Sequence, residues 1–199
     1  MAALRLALAA FALVVASPAR ADPVAQWRPY IAEASVRFAV PADWIEQVMR
    51  AESGGRTMLG GRPITSRAGA MGLMQLMPGT WAAMRARLRL GEDPHNPRDN
   101  IVAGTAYLLM MYDRFGYPGM FAAYNAGPGR YAAYLGGRAR LPGETIAYLQ
   151  TVTSVAGTPA PPREPKPASP GKSRPDDNKG DRENGQSPDP IFFIRRPSL

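Results

Sequence analysis

Between residues 22 and 157, apolar side chains recur three and four positions apart, and glycine or proline breaks the pattern at intervals. That period belongs to amphipathic helices packed on one core. A first helix is expected over Pro23–Phe38. A second opens at Pro41, a residue suited to a first helical turn, and stops before Gly54-Gly55. A short helix follows Pro78 through Trp81, Met84 and Leu88, and a long one covers Arg98–Phe115 with Gly116 as its stop. Short helices near Pro118–Asn125 and Pro128–Leu135 precede a last one over Glu144–Val155. Strand signals are sparse, with few β-branched residues and no long period-2 run. The pattern predicts a mainly α fold with one core, for which about 136 residues suffice.

The two ends of the chain differ from this pattern. Arg5, the 11-residue apolar run Leu6–Ala16 and the small-x-small triplet Ala19-Arg20-Ala21 form a secretory signal peptide over residues 1–21. A membrane span needs roughly 20 apolar residues, so this run is too short to serve as an anchor. Residues 158–199 hold 10 of the 21 prolines and almost no apolar side chain before Ile191. Such a tail cannot bury enough surface to offset its ordering entropy and is expected to be disordered. Its last residues, IFFIRRPSL, make a short apolar-basic patch, read either as an unselected end or as a docking peptide.

Charge and cysteine content narrow the partners. The chain carries 24 basic and 16 acidic residues, a net +8, and no cysteine. The region 22–157 holds 14 arginines against 10 acids, scattered apart from Arg85, Arg87 and Arg89. A moderately basic exported surface suits an anionic polymer, but no nucleic-acid motif is present. Disulfides and cysteine-rich metal sites are excluded. His95, the only histidine, reads as a turn residue in Asp93-Pro94-His95-Asn96-Pro97, so no metal or cofactor is expected.

One carboxyl stands out by position. Ile45, Val48, Met49 and Glu52 share a helix face, and the helix ends directly after Glu52. A carboxyl at the rim of a core loses hydration, which favours its protonated form, the form a glycosidase uses to protonate a leaving oxygen. By itself this position more often describes a helix-terminal glutamate satisfied by an arginine or a backbone N–H. Gly72-Leu73-Met74-Gln75-Leu76-Met77-Pro78 sets one amide among apolar residues, although such a run alone reads as core. Ala123-Tyr124-Asn125-Ala126-Gly127 ends a short helix with a phenol and an amide, and Asn125 alone reads as a helix stop. Glu144 fits a first-turn acid favoured by the helix dipole, with Tyr148 one turn on.

In this order the segments resemble the soluble lytic transglycosylase family, lysozyme-like enzymes that cut peptidoglycan. The resemblance rests on Glu52-Ser53, GLMQLMP at 72–78, AYNAG and PGR at 123–130, and ETIAY at 144–148. Asp99-Asn100-Ile101 through Gly104, Tyr107 and Leu108 looks like the family's long helix; Arg56–Arg67 lies outside these motifs. The resemblance covers roughly residues 27–155 and implies a lysozyme-like catalytic domain over 22–157. It implies cleavage of the β-1,4 bond between N-acetylmuramic acid and N-acetylglucosamine in peptidoglycan glycan strands, with the muramic C6 hydroxyl closing on C1 to give a 1,6-anhydro end. On the same basis Glu52 serves as acid and then base. Tyr124 orients Glu52 or the N-acetyl group, and Gln75 and Asn125 bind sugar amides or hydroxyls. Met77 packs on a sugar face, Ser53 positions the substrate, and Glu144 and Tyr148 support the site. A muramidase using water and a non-catalytic wall-binding scaffold remain as alternatives. The expected setting is a periplasmic monomer, with a secretion or conjugation apparatus as a candidate partner for residues 158–199.

Overall fold

The computed structural model describes residues 22–154. The signal peptide and Pro-rich tail expected from the sequence lie outside the described residues. Within them, a single 3-10 turn (Ala25–Trp27) leads into α1 (Arg28–Phe38) and then α2 (Ala42–Glu52). A two-stranded ribbon, β1 (Met58–Leu59) and β2 (Arg62–Pro63), follows. Five helices complete the order: α3 (Pro78–Leu88), α4 (Pro97–Phe115), α5 (Gly119–Ala126), α6 (Pro128–Leu135) and α7 (Gly143–Ser154). The mainly α expectation matches this architecture, with helix ends within a few residues of those read from glycine and proline. Pro41 is the exception in detail: it caps α2 in an extended conformation and stands outside the first turn.

α4 is the axis of the fold. Residues Asn100–Leu108 are all buried, because α1, α3 and α5 pack around this helix. Its start is set locally, where the Asn96 side chain accepts the Asp99 backbone N–H at 3.1 Å. α2 contributes Trp44, Ile45, Val48 and Met49, none more than 1% exposed. Trp44 is the centre of an aromatic cluster, with Tyr112, Tyr117 and Phe121 ring centroids 5.3, 5.6 and 6.2 Å away. α7 closes the domain by packing on both α2 and α5. No helix among the described residues is long and apolar enough to cross a membrane.

The ribbon is the only strand pair among the described residues, in keeping with the sparse strand signals of the sequence. Met58 pairs with Pro63 and Leu59 with Arg62, antiparallel, around Gly60-Gly61. Both glycines have positive φ (57° and 76°), the backbone a two-residue hairpin turn needs. Strands of two residues are too short to show a period. The Gly-Gly dipeptide was the signal that marked the turn.

Candidate active site

The site begins where α2 stops. Ile45, Val48 and Met49 are sealed in the core, and Glu52, one turn beyond, is half-buried with its Oε1 atom out of solvent. Ser53 ends the helix. Its hydroxyl donates to the Met49 carbonyl (3.3 Å) and accepts the Gly55 N–H (3.1 Å), and the residue is buried. A hydroxyl has one proton, and here it is used on the backbone. Ser53 therefore holds the loop behind Glu52 through these two bonds. Gly55 is clamped from the other side: Trp27 Nε1 donates to its carbonyl at 2.8 Å, and a Cβ there would lie 2.8 Å from the Pro23 carbonyl.

The Met/Gln segment folds into a tight turn. Met71 and Leu76 exchange both backbone hydrogen bonds, at 2.9 and 3.0 Å, enclosing Gly72–Gln75. Gln75 has φ +46°, rare for a residue with a Cβ and typical of positions the surroundings over-determine. Its Nε2 donates to the Gly72 carbonyl at 2.8 Å, so part of the amide expected to meet sugar stabilises its own turn. What over-determines the turn is Asn100, fully buried on α4. Its Oδ1 accepts the Met74 N–H (2.7 Å), and its Nδ2 donates to the Met71 and Pro94 carbonyls (3.1 and 2.8 Å). Gly72 is required beside it, since a Cβ would stand 2.4 Å from the Asn100 amide nitrogen. Sequence reasoning placed Asn100 only in a helix motif. A lone amide at the head of a buried apolar stretch was the available signal.

α5 and α7 complete the arrangement. Tyr124 is buried against Tyr107 (centroids 5.2 Å apart) and donates its hydroxyl to the Met74 carbonyl at 2.8 Å. With its single proton committed there, the phenol oxygen can only accept from any other neighbour. Asn125 is half-buried, and its Oδ1 accepts from the Thr145 hydroxyl at 2.9 Å. That bond turns the Asn125 amide N–H donors away from Thr145, and they carry no hydrogen bond among the described residues. Thr145 is fully buried and was not singled out from the sequence; Glu144, beside it, is exposed at the start of α7. Tyr148, one turn on, is buried with its hydroxyl oxygen out of solvent. Met77 is half-buried and caps α3 in an extended conformation.

Residues 29–146 match the family model described as Transglycosylase SLT domain. The chain belongs to that family. It is 39% identical over 98 residues to the soluble lytic murein transglycosylase of Salmonella typhimurium, covering 45% of this chain and 15% of that one. It is 34% identical over 91 residues to the transglycosylase of Enterobacteria phage PRD1, covering 46% of this chain and 31% of that one. Among solved structures, an inactive glutamate-to-glutamine mutant of the lytic transglycosylase Slt from Pseudomonas aeruginosa is similar. It superposes with TM-score 0.58 at 30% identity, over 67% of this chain and 23% of that one. The 70 kDa soluble lytic transglycosylase of Escherichia coli is similar with TM-score 0.53 at 30% identity, over 63% and 22%. The chain thus spans about 15% of the Salmonella relative's length and less than a quarter of these solved chains.

In this SLT domain the residues named from sequence divide by what their polar atoms do. Glu52 and the Asn125 amide donors stand at the rim, partly exposed. Ser53, Gln75 and Tyr124 spend hydrogen bonds on backbone atoms that shape the rim. Asn100 holds the turn that carries Gln75, and Thr145 holds Asn125 in place. Among the described residues no cluster of three or more His, Cys, Asp or Glu side chains could hold a metal ion.

Proposed function

We propose that this SLT domain is a peptidoglycan lytic transglycosylase with Glu52 as its one catalytic carboxylate. The supporting observation is the half-buried Glu52 carboxyl at the end of a core helix, in a domain whose other helices present an oriented amide and a Tyr-backed turn. The other described acids have separate roles or are exposed. Asp22 and Glu46 meet Arg50, Glu33 and Asp99 meet Arg98, and Glu92 meets Arg85. Asp43, Asp93, Asp113 and Glu144 lie on the surface.

A single carboxyl suffices when the substrate brings its own acceptor. Glycosidases use two carboxylates, about 6.5–9.5 Å apart where one activates water directly and about 5–5.5 Å apart where one forms a covalent intermediate. Here Glu52 starts protonated and gives its proton to the oxygen linking N-acetylmuramic acid to N-acetylglucosamine. The resulting carboxylate takes the proton of the muramic C6 hydroxyl as that oxygen bonds to C1. The bond broken is C1–O4, the product is a 1,6-anhydro end, and Glu52 is protonated again. Holding the hydroxyl beside C1 replaces the encounter with water. Asn125 binds an acceptor group of the sugar through its free N–H donors, and Met77 lies against a ring face. Ser53, Gln75, Tyr124 and Tyr148 fix the frame.

The proposal includes a setting: export through residues 1–21 to the periplasm, and local opening of the wall for a secretion or conjugation apparatus through residues 158–199. The deciding experiment is a muropeptide digest of purified sacculi read by mass spectrometry, run beside Glu52→Gln. Anhydro ends from the wild type and at least ~1,000-fold less product from Glu52→Gln are expected, as for loss of a positioned acid/base. Only reducing ends would make the enzyme a hydrolase. Undiminished cleavage by Glu52→Gln would remove Glu52 from the chemistry.

A further inference from the structure

The β1–β2 ribbon is exposed over all four strand residues, including two large apolar ones, Met58 at 51% and Leu59 at 56%. It is anchored at both ends to the site. On one side Arg56 donates its backbone N–H and its Nε–H to the Ser53 carbonyl, directly after Glu52. On the other, Ile64 accepts the Gly72 N–H at 3.1 Å and Thr65 bridges to Met71, which pairs with Leu76 around the Gln75 turn. The ribbon is therefore a continuation of the wall that holds Gln75. It buries little of itself, so its side chains are available to a ligand lying along that wall.

Its charge is one-sided. From Ser53 to Gly91 the chain has six arginines and no Asp or Glu. Arg85 is engaged by Glu92, whereas Arg56, Arg62 and Arg67, on the ribbon and its flanks, are exposed with no ion pair among the described residues. The glycan strand is neutral where its lactyl groups are amide-linked to peptides. The carboxylates of the substrate then lie on the peptide stems, and arginine is the side chain that binds carboxylate through a two-pronged hydrogen bond.

We propose that the ribbon is a binding wall for the acidic peptide stem of peptidoglycan. Arg62 and Arg67 bind stem carboxylates, and Met58 and Leu59 cover the stem's aliphatic parts. This rests on peptidoglycan being the substrate. The test compares sacculi with free stem carboxylates against the same sacculi with those carboxylates converted to amides by carbodiimide and ammonium. Wild type is expected to show a kcat/KM about 3–10-fold higher on the acidic stems, expressed in KM, as two exposed charge pairs allow. The double variant Arg62→Gln/Arg67→Gln should bring that ratio close to one while keeping its melting temperature and its rate on amidated sacculi. Met58→Ser/Leu59→Ser should raise KM on both substrates.

A wild-type ratio of one, with both sacculi cleaved, overturns the stem assignment and leaves the lytic activity standing. No cleavage of either substrate defeats the functional proposal itself. If Arg87→Gln/Arg89→Gln, on and just after α3, lowers the ratio as far as the ribbon variant does, general charge is responsible and the ribbon assignment fails. An unchanged ratio, with binding to phosphatidylglycerol vesicles lost in the ribbon variant, assigns the ribbon to a membrane surface and also overturns it.

Discussion

Replacing Asn100 by alanine removes three hydrogen bonds from a side chain with no exposed surface, at 2.7, 2.8 and 3.1 Å. Each contributes a net ~1 kcal/mol, and a buried group left without a partner costs ~1–3 kcal/mol, so the loss should total about 3–5 kcal/mol. The space cannot close easily, because Gly72 opposite has no side chain to fill it and a left-handed φ of +75° that disfavours rearrangement. At about 3–5 °C per kcal/mol for a domain of this size, the melting temperature should fall by about 10–20 °C in calorimetry or circular dichroism. Asn100→Asp is a sharper test. It keeps the acceptor for the Met74 N–H but turns an oxygen toward the Met71 and Pro94 carbonyls. The charged form is disfavoured in the fold, so this variant's folded-state pKa is raised. Its stability should therefore be greatest below about pH 4 and fall as pH rises through that raised value. A melting temperature for Asn100→Ala within ~3 °C of wild type, against the shift expected for a loss of this size, would refute the assignment of Asn100 as the organiser of the turn.

Thr145→Val keeps the shape of a buried side chain and removes only the donor to Asn125. We expect kcat/KM to fall about 5–10-fold, or ~1–1.4 kcal/mol, with Thr145→Ser restoring it; an unaffected Thr145→Val would show that Asn125 needs no support. Asp22 is bound at 2.5 and 2.6 Å by the two prongs of Arg50 and accepts the Val24 N–H, which together hold its carboxyl down from the ordinary 3.8 to about 2. The depressed value means the contribution is complete above the ordinary range and is lost as pH falls from about 4 toward about 2. Urea melts of wild type and Asp22→Asn should thus differ at neutral pH and converge near pH 2; parallel curves would show that the pair contributes nothing. A chain ending at residue 157 should keep its cleavage rate in the sacculus digest but lose its place at a secretion or conjugation apparatus in fluorescence images. Unchanged placement would remove docking by the tail.

The helices were legible because their signals are local. Pro78, Pro97 and Pro128 open α3, α4 and α6, Gly116 and Gly127 stop α4 and α5, and the spacing of Ile45, Val48 and Met49 assigns Glu52 its face. The ribbon was not legible from periodicity, since two residues cannot express one. Within the site, residue types pointed to the right segments but not to the partners of each atom. Ser53 and Gln75 looked like ligand-binding groups because hydroxyls and amides in a motif are free on paper. In the fold the Ser53 hydroxyl and the Gln75 amide nitrogen are directed at backbone atoms two to four residues away.

Sequence by itself determined a mainly helical domain and put Glu52 at the end of a core-facing helix, because helix period and chain-breaking residues act over a few positions. Tertiary structure alone decided which polar atoms remain for a substrate. Asn100 reaches a turn 26 residues earlier, Tyr124 reaches Met74 across 50 residues, and Thr145 turns Asn125 from 20 residues away. Such bonds depend on which surfaces of α4, α5 and α7 meet, and no local pattern records that meeting.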